Sequence, residues 1–112
     1  VINIASISKT FVGVALMHLV ENGLIGLDED VNTFLPFQVL HPHLPEAIIT
    51  PRLLMIHSSG IQDNQKVYLP SYHYGGDSPI PLGEFLADYL SQDGVHYSKN
   101  NFTKSKPGSI II

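Results

Sequence analysis

The stretch Ile4-Ala5-Ser6-Ile7-Ser8-Lys9-Thr10-Phe11 opens the longest apolar segment of the sequence, which continues to Val20. Ser6 and Lys9 are three residues apart, so on a helix they share one face, with Cβ atoms about 5–6 Å apart. A lysine amine can take the proton of a serine hydroxyl, and a helix N-terminus favours negative charge beside it. The stretch therefore predicts a serine nucleophile with a lysine base, although the same spacing also arises by chance.

The segment that follows Ser6, residues 7–22, predicts a helix that is apolar on nearly every side. After Ser8 and Lys9 at its start, its only polar side chains are Thr10, His18, Glu21 and Asn22. Such a helix has to be buried all round, and the rest of a 112-residue chain offers little material to cover it. We therefore expect a piece of a larger domain, opening on Val1 rather than methionine, or a domain that another chain completes.

The composition excludes several classes of function. A net charge of −4 without a basic cluster argues against nucleic-acid binding. The absence of cysteine excludes a disulfide framework and a thiolate metal site. No apolar run approaches the roughly 20 residues that a membrane span needs. The 44 % apolar content is instead typical of one small globular domain.

Helix start and stop signals divide the middle of the chain. Gly23 is placed to end the first helix in a left-handed conformation. The acids at residues 28–30 are predicted to cap a short helix; a calcium site there lacks further oxygen ligands. Thr50 and Pro51 predict the start of a helix that ends at Gly60, and the Ser58 and Ser59 hydroxyls are expected to be structural.

The remaining segments are predicted to be mostly loops. Residues 36–49 are predicted to be a loop that contains His41 and His43. A zinc pair there lacks a third ligand, so both histidines are expected to be ordinary surface residues. Residues 61–80 predict a long aromatic loop whose tyrosines either contact substrate or pack onto the body. Residues 81–92 predict a helix with one apolar stripe. An irregular stretch follows; it holds a glycosylation sequon at residues 101–103 and precedes a turn at Lys106-Pro107-Gly108 and an apolar strand or helix entry.

Four of these stretches, in this order, resemble the serine β-lactamase and penicillin-binding-protein superfamily, in particular its branch of class C β-lactamases, D-aminopeptidases and esterases. Residues 4–11 resemble its Ser-x-x-Lys motif, and residues 19–28 its helix end and acidic turn. Residues 49–60 resemble its threonine-capped helix ending in His-x-Ser-Gly, and residues 107–109 the turn before its Tyr-x-Asn motif. Tyr-x-Asn itself does not occur in the sequence, because Tyr97-Ser98-Lys99-Asn100 has a different spacing, and the third family motif is absent as well.

The resemblance implies an α+β, β-lactamase/transpeptidase-like fold, of which residues 1–112 are a partial, mostly helical piece with little β-sheet. It implies that Ser6 is the acylated nucleophile and Lys9 its activating partner. The substrate would be a small molecule or peptide with an amide, β-lactam or ester carbonyl, and no metal or organic cofactor is needed. It also favours an extracytoplasmic (periplasmic or secreted) bacterial setting.

Two other interpretations stay open from the sequence. In the first, the chain keeps the fold as a non-catalytic binding or scaffold protein. In the second, it is a soluble helical domain in which Ser6 only caps a helix and Lys9 is a solvated charge.

Overall fold

The computed structural model describes the whole chain from Val1 to Ile112. Its α-helices are α1 (Ser8–Glu21), α2 (Pro51–Met55), α3 (Gln65–Tyr68) and α4 (Leu82–Leu90), and 3-10 turns lie at Ala5–Ile7, Val31–Thr33, Leu69–Ser71 and Lys99–Asn101. The β-structure is one isolated antiparallel bridge between Ile61 and Phe102. The chain is thus rich in helix with almost no strand, which is consistent with the expected partial piece, while the α+β class of a whole domain stays a prediction.

The end of α1 follows the glycine signal. Gly23 has a φ of +72° and donates its N–H to the carbonyl of Val20 at 3.0 Å. Leu24 donates to the carbonyl of Leu19, also at 3.0 Å. This pair of bonds is a Schellman motif, which satisfies carbonyls that the helix end leaves open. The predicted helix end is confirmed.

The acidic turn after α1 is tied to α2. The Asp28 carboxylate accepts two hydrogen bonds from Arg52, at 2.7 Å from Nε and 2.9 Å from Nη2. These bonds and the charge of Arg52 hold the pKa of Asp28 below its usual value. Asp30 accepts the N–H of Asn32 at 2.9 Å and caps the following 3-10 turn, which confirms the predicted capping role.

Helix α2 begins as predicted but ends earlier. The Thr50 hydroxyl accepts the N–H of Leu53 at 3.3 Å, and proline is the first residue of the helix. The helix ends at Met55, and the left-handed residue just after it is His57, with a φ of +57°. Gly60 therefore forms a separate bend, with a φ of +84°, and does not end α2.

The hydrophobic core lies away from α1. Its buried members are Val31, Val39, Ile49, Tyr89, Leu90 and Phe102. Tyr89 and Leu90 confirm the predicted apolar stripe in the second half of α4, whereas Leu82 at its start is 71 % exposed. None of the residues of α1 is buried.

The prediction of a continuous loop over residues 61–80 is wrong in its middle. Helix α3 and the following 3-10 turn occupy seven of these residues, Gln65–Tyr68 and Leu69–Ser71. The Asn64 side chain caps this helical segment by accepting the N–H of Lys66 at 3.3 Å. A helix of four residues is too short to show a periodic pattern of apolar residues, so the capping asparagine is its only local signal in the sequence.

The end of the chain also differs from the prediction. The turn at Lys106-Pro107-Gly108 is confirmed, since Ser109 donates to the Lys106 carbonyl at 3.0 Å and Gly108 has a φ of +87°. Proline followed by a glycine with positive φ is the pattern of a type II turn. Residues 109–112 form neither a strand nor a helix.

Asn101 joins three segments of the chain from a fully buried position, with 0 % of its surface exposed. Its Nδ2 donates to the carbonyls of Tyr89 and His96, each at 2.8 Å. Its Oδ1 accepts from Nδ2 of Asn64, also at 2.8 Å. In the folded chain the sequon asparagine is therefore inaccessible to glycosylation.

Replacing Asn101 with alanine is expected to lower the free energy of unfolding of the intact protein by about 2–3 kcal/mol, because buried polar partners lose their hydrogen bonds. Denaturant unfolding measures this change. Asn100→Ala is the matched control, since this neighbouring side chain is exposed. Equal stability of the two variants would contradict the joining role.

Candidate active site

The structure brings the predicted serine and lysine together. Ser6 lies in the 3-10 turn Ala5–Ile7, and Lys9 lies in the first turn of α1. Lys9 Nζ donates a hydrogen bond to Ser6 Oγ at 3.0 Å. Both residues are exposed in this chain. A hydroxyl and an amine at this distance have the geometry that a nucleophile and its base require.

The backbone just before Ser6 is strained. Ala5 has a φ of +46°, which lies in the left-handed region. Non-glycine residues rarely adopt this conformation, because it costs about 1–3 kcal/mol. The Asn3 side chain holds this conformation by accepting the Ala5 N–H at 2.8 Å. Neither Asn3 nor Ala5 is predicted from the sequence to shape the site, although an asparagine that bonds the backbone two residues on is a known turn signal.

The electrostatic setting of Ser6 favours an anion. The first amides of a helix have no partner inside it, and together with the helix dipole they leave partial positive charge at its start. Helix α1 has 14 residues and no acidic residue in its first turn. No carboxylate of that turn therefore opposes negative charge next to Ser6 Oγ.

The neighbouring histidine–serine stretch serves the backbone. Ser58 Oγ donates to the carbonyl of Ile56 at 3.4 Å, and Ser59 Oγ accepts the N–H of Ile61 at 3.2 Å. Both serines are buried. Their expected structural role is confirmed.

The prediction of a surface position is wrong for His41, which is only 2 % exposed. Its Nδ1 accepts the backbone N–H of His43 at 3.3 Å and of Leu44 at 3.2 Å. Burial, and secondly the charge of His43, lower the pKa of His41. The structure holds no group of three or more His, Cys, Asp or Glu side chains placed to bind a metal ion.

A serine with a lysine one turn later, at the start of an apolar helix and followed by a threonine-capped helix, is the arrangement of β-lactamase-like serine proteins. The family model described as Beta-lactamase matches residues 1–108. The chain belongs to this family, which implies the transpeptidase-like fold.

One relative is the human mitochondrial protein named serine beta-lactamase-like protein LACTB. It is 33 % identical over 108 residues, which cover 95 % of this chain and 20 % of that protein. The chain thus spans about a fifth of the length of this relative. No solved structure is significantly similar to the chain.

The name of the human relative places that protein in mitochondria, not in a bacterial extracytoplasmic compartment. The bacterial setting of this chain stays a prediction. None of its helices combines the length and the apolar character that crossing a membrane requires.

Proposed function

We propose that this chain supplies the nucleophile and the base of a serine hydrolase that acts through an acyl-enzyme. The observation that carries the proposal is the 3.0 Å hydrogen bond between Lys9 Nζ and Ser6 Oγ at the start of α1. Membership of the β-lactamase family supports the proposal, because residues 6–9 resemble the Ser-x-x-Lys motif of that family.

In the proposed reaction, Ser6 Oγ attacks the carbonyl carbon of an amide, β-lactam or ester while Lys9 Nζ takes the hydroxyl proton. The carbonyl oxygen becomes an oxyanion, and the Ser6 N–H at the helix start is one donor to it, a role typically worth about 10²–10³ in rate. Collapse of this intermediate breaks the bond from the carbonyl carbon to nitrogen or oxygen, and Lys9 Nζ passes the proton it took to the leaving atom. An amine or alcohol departs from an amide or ester, whereas the freed amine of a β-lactam stays attached to the acyl group. Water then attacks the acyl-Ser6 ester and releases the acid.

The proposed base role requires that further protein covers the site. A lysine gives up its proton near neutral pH only where it is desolvated or lies beside another cation. Lys9 and Ser6 are both exposed in this chain. We therefore place residues 1–112 in a larger α+β domain, or in a complex with another chain, whose remaining parts would cover Lys9 and supply the second oxyanion donor. The reaction itself needs no metal or organic cofactor.

We expect Ser6 to be the one serine of the intact protein that is acylated. Treatment with a fluorescent penicillin and, separately, with a fluorophosphonate, followed by peptide mapping, tests this expectation. Ser6→Ala should abolish the adduct. Ser8→Ala is the matched control and should keep the adduct, because Ser8 is also exposed and lies two residues away.

Two outcomes would contradict the proposal. An adduct on Ser58 or Ser59, or one that persists in Ser6→Ala, would assign the nucleophile elsewhere. No adduct from either probe on a folded protein would instead favour the non-catalytic binding or scaffold protein.

A further inference from the structure

Two segments that are distant in sequence are joined by backbone hydrogen bonds. We call residues 57–62 and 101–112 the paired segments. Four N–H groups make the bonds between them: Gln62 to Asn101 at 2.9 Å, Thr103 to Gly60 at 2.8 Å, Gly108 to Ser58 at 2.8 Å and Ile112 to His57 at 2.7 Å. These bonds hold the end of the chain against the bend that follows α2.

The His41 ring is buried directly against this pairing. Its centroid lies 5.1 Å from the ring of Phe102, which is itself only 1 % exposed. On the other segment the ring faces Gly60, where an added Cβ would lie 3.4 Å from His41 Nε2. His41 therefore contacts both paired segments, and its position depends on theirs.

The hydrogen bonds of His41 determine its protonation state. Nδ1 accepts two backbone N–H groups, so it must carry a lone pair and the ring proton must be on Nε2. Nε2 is buried without a hydrogen-bond partner. A second proton would have to enter at Nδ1, where it would point at two other donors. A hydrogen bond to the His41 backbone favours the charged ring, but burial outweighs it, so the pKa is lowered and the protonated ring is disfavoured in this position.

We propose that His41 is an acid-sensitive contact. Its neutral ring stabilises the pairing of the two segments, and its protonated ring leaves the buried position, so that the segments separate. Protonation of Nδ1 breaks both bonds to the turn at residues 43–44 and exposes the charged ring to water. The packing against Phe102 and Gly60 is lost with it. This inference is independent of the chemistry at Ser6.

Few other titratable groups face the ring. On its own loop, the His43 ring centroid is 6.0 Å away, and His43 Nε2 bonds the Lys99 carbonyl at 3.0 Å. Tyr97 donates its hydroxyl to the carbonyl of Leu40 at 2.8 Å, and burial raises its pKa, so it stays neutral here. Phe102 and Gly60, which the ring contacts on the paired segments, carry no charge.

The direction of the pH response follows from the buried neutral ring. Burial holds the pKa of His41 below the ordinary value of 6.5, so the released state binds more protons than the paired state. The stability that the neutral His41 ring contributes to the pairing is therefore fully present above pH 6.5 and is lost as the pH falls below this value. For one linked proton, opening should become up to about tenfold more favourable between pH 7.5 and 5.5.

Amide hydrogen exchange of the intact protein tests the proposal. The protection factors of Thr103 and Gly108, corrected for intrinsic exchange rates, should fall by up to about tenfold between pH 7.5 and 5.5. The Arg52 amide, which bonds the Leu27 carbonyl at 2.9 Å, is the internal control and should keep its protection. Constant protection at Thr103 and Gly108, or an equal loss at Arg52, would overturn the proposal.

His41→Asn separates titration from packing. An asparagine oxygen can accept the same N–H groups of the turn but cannot be protonated in this range, so the acid response should disappear. His43→Gln should keep the response. If the asparagine variant does not fold, NMR titration of the His41 ring in the unaltered protein decides. The midpoint of the ring titration must lie below pH 6.5, and the protection of Thr103 and Gly108 must fall between pH 6.5 and that midpoint; a ring that titrates without such a loss overturns the proposal.

Discussion

Lys9→Arg is expected to slow acylation of Ser6 as strongly as Lys9→Ala does, by about 10²–10⁴-fold, the usual contribution of a general base. Arginine keeps the positive charge and can still donate to Ser6 Oγ, but its guanidinium does not give up a proton near neutral pH. The second-order rate constant for adduct formation with a fluorophosphonate or penicillin probe measures the effect in the intact protein.

The matched control for this pair of variants is Lys66→Arg and Lys66→Ala. Lys66 is also exposed, and its side chain makes no hydrogen bond to the Ser6 turn. Both control variants should react at the unaltered rate. A near-normal rate for Lys9→Arg would show that the amine acts through its charge and not as a base, and Ser6 would then need another proton acceptor.

The features that the sequence predicts well are those that a few neighbouring residues determine. The contact between Ser6 and Lys9 follows from a three-residue spacing on one helical turn. The end of α1 follows from Gly23, and the start of α2 from Thr50 and Pro51. In each case the interacting atoms lie within one turn of the chain, so the neighbouring residues alone are enough to predict the local conformation.

The features that the sequence misses depend on contacts between distant segments. His41 is buried because it packs on Phe102 and faces Gly60, and Asn101 is buried because Asn64 and Tyr89 satisfy its amide. Local polarity places such residues at the surface. The backbone at Ala5 is local, but its positive φ goes against the preference of alanine, so Asn3 is its only signal in the sequence.

Helix α1 forms as predicted, but residues 1–112 do not cover its apolar side chains. The sequence predicts an apolar helix that must be covered, and the structure has that helix with most of its large side chains in contact with solvent. Phe11 and Val12 are each 68 % exposed and Val14 is 66 % exposed. Leaving such a side chain exposed forfeits about 1.5–3 kcal/mol, while a small domain has about 5–15 kcal/mol of stability in all. A stable protein with this helix therefore needs further protein surface against it.

Residues 1–112 expressed alone are accordingly expected to self-associate, to show no cooperative thermal unfolding as a monomer, and to have no hydrolytic activity. Light scattering after gel filtration and circular dichroism on heating measure the first two properties. Val14→Glu gives the sharper comparison, because a charge on an exposed helix face should reduce self-association of the isolated stretch. In the intact protein the same variant should lower the thermal midpoint, since there the charge would be buried without a partner. A cooperative, active monomer from residues 1–112 would contradict both the need for a cover over α1 and the mechanism that relies on that cover to desolvate Lys9.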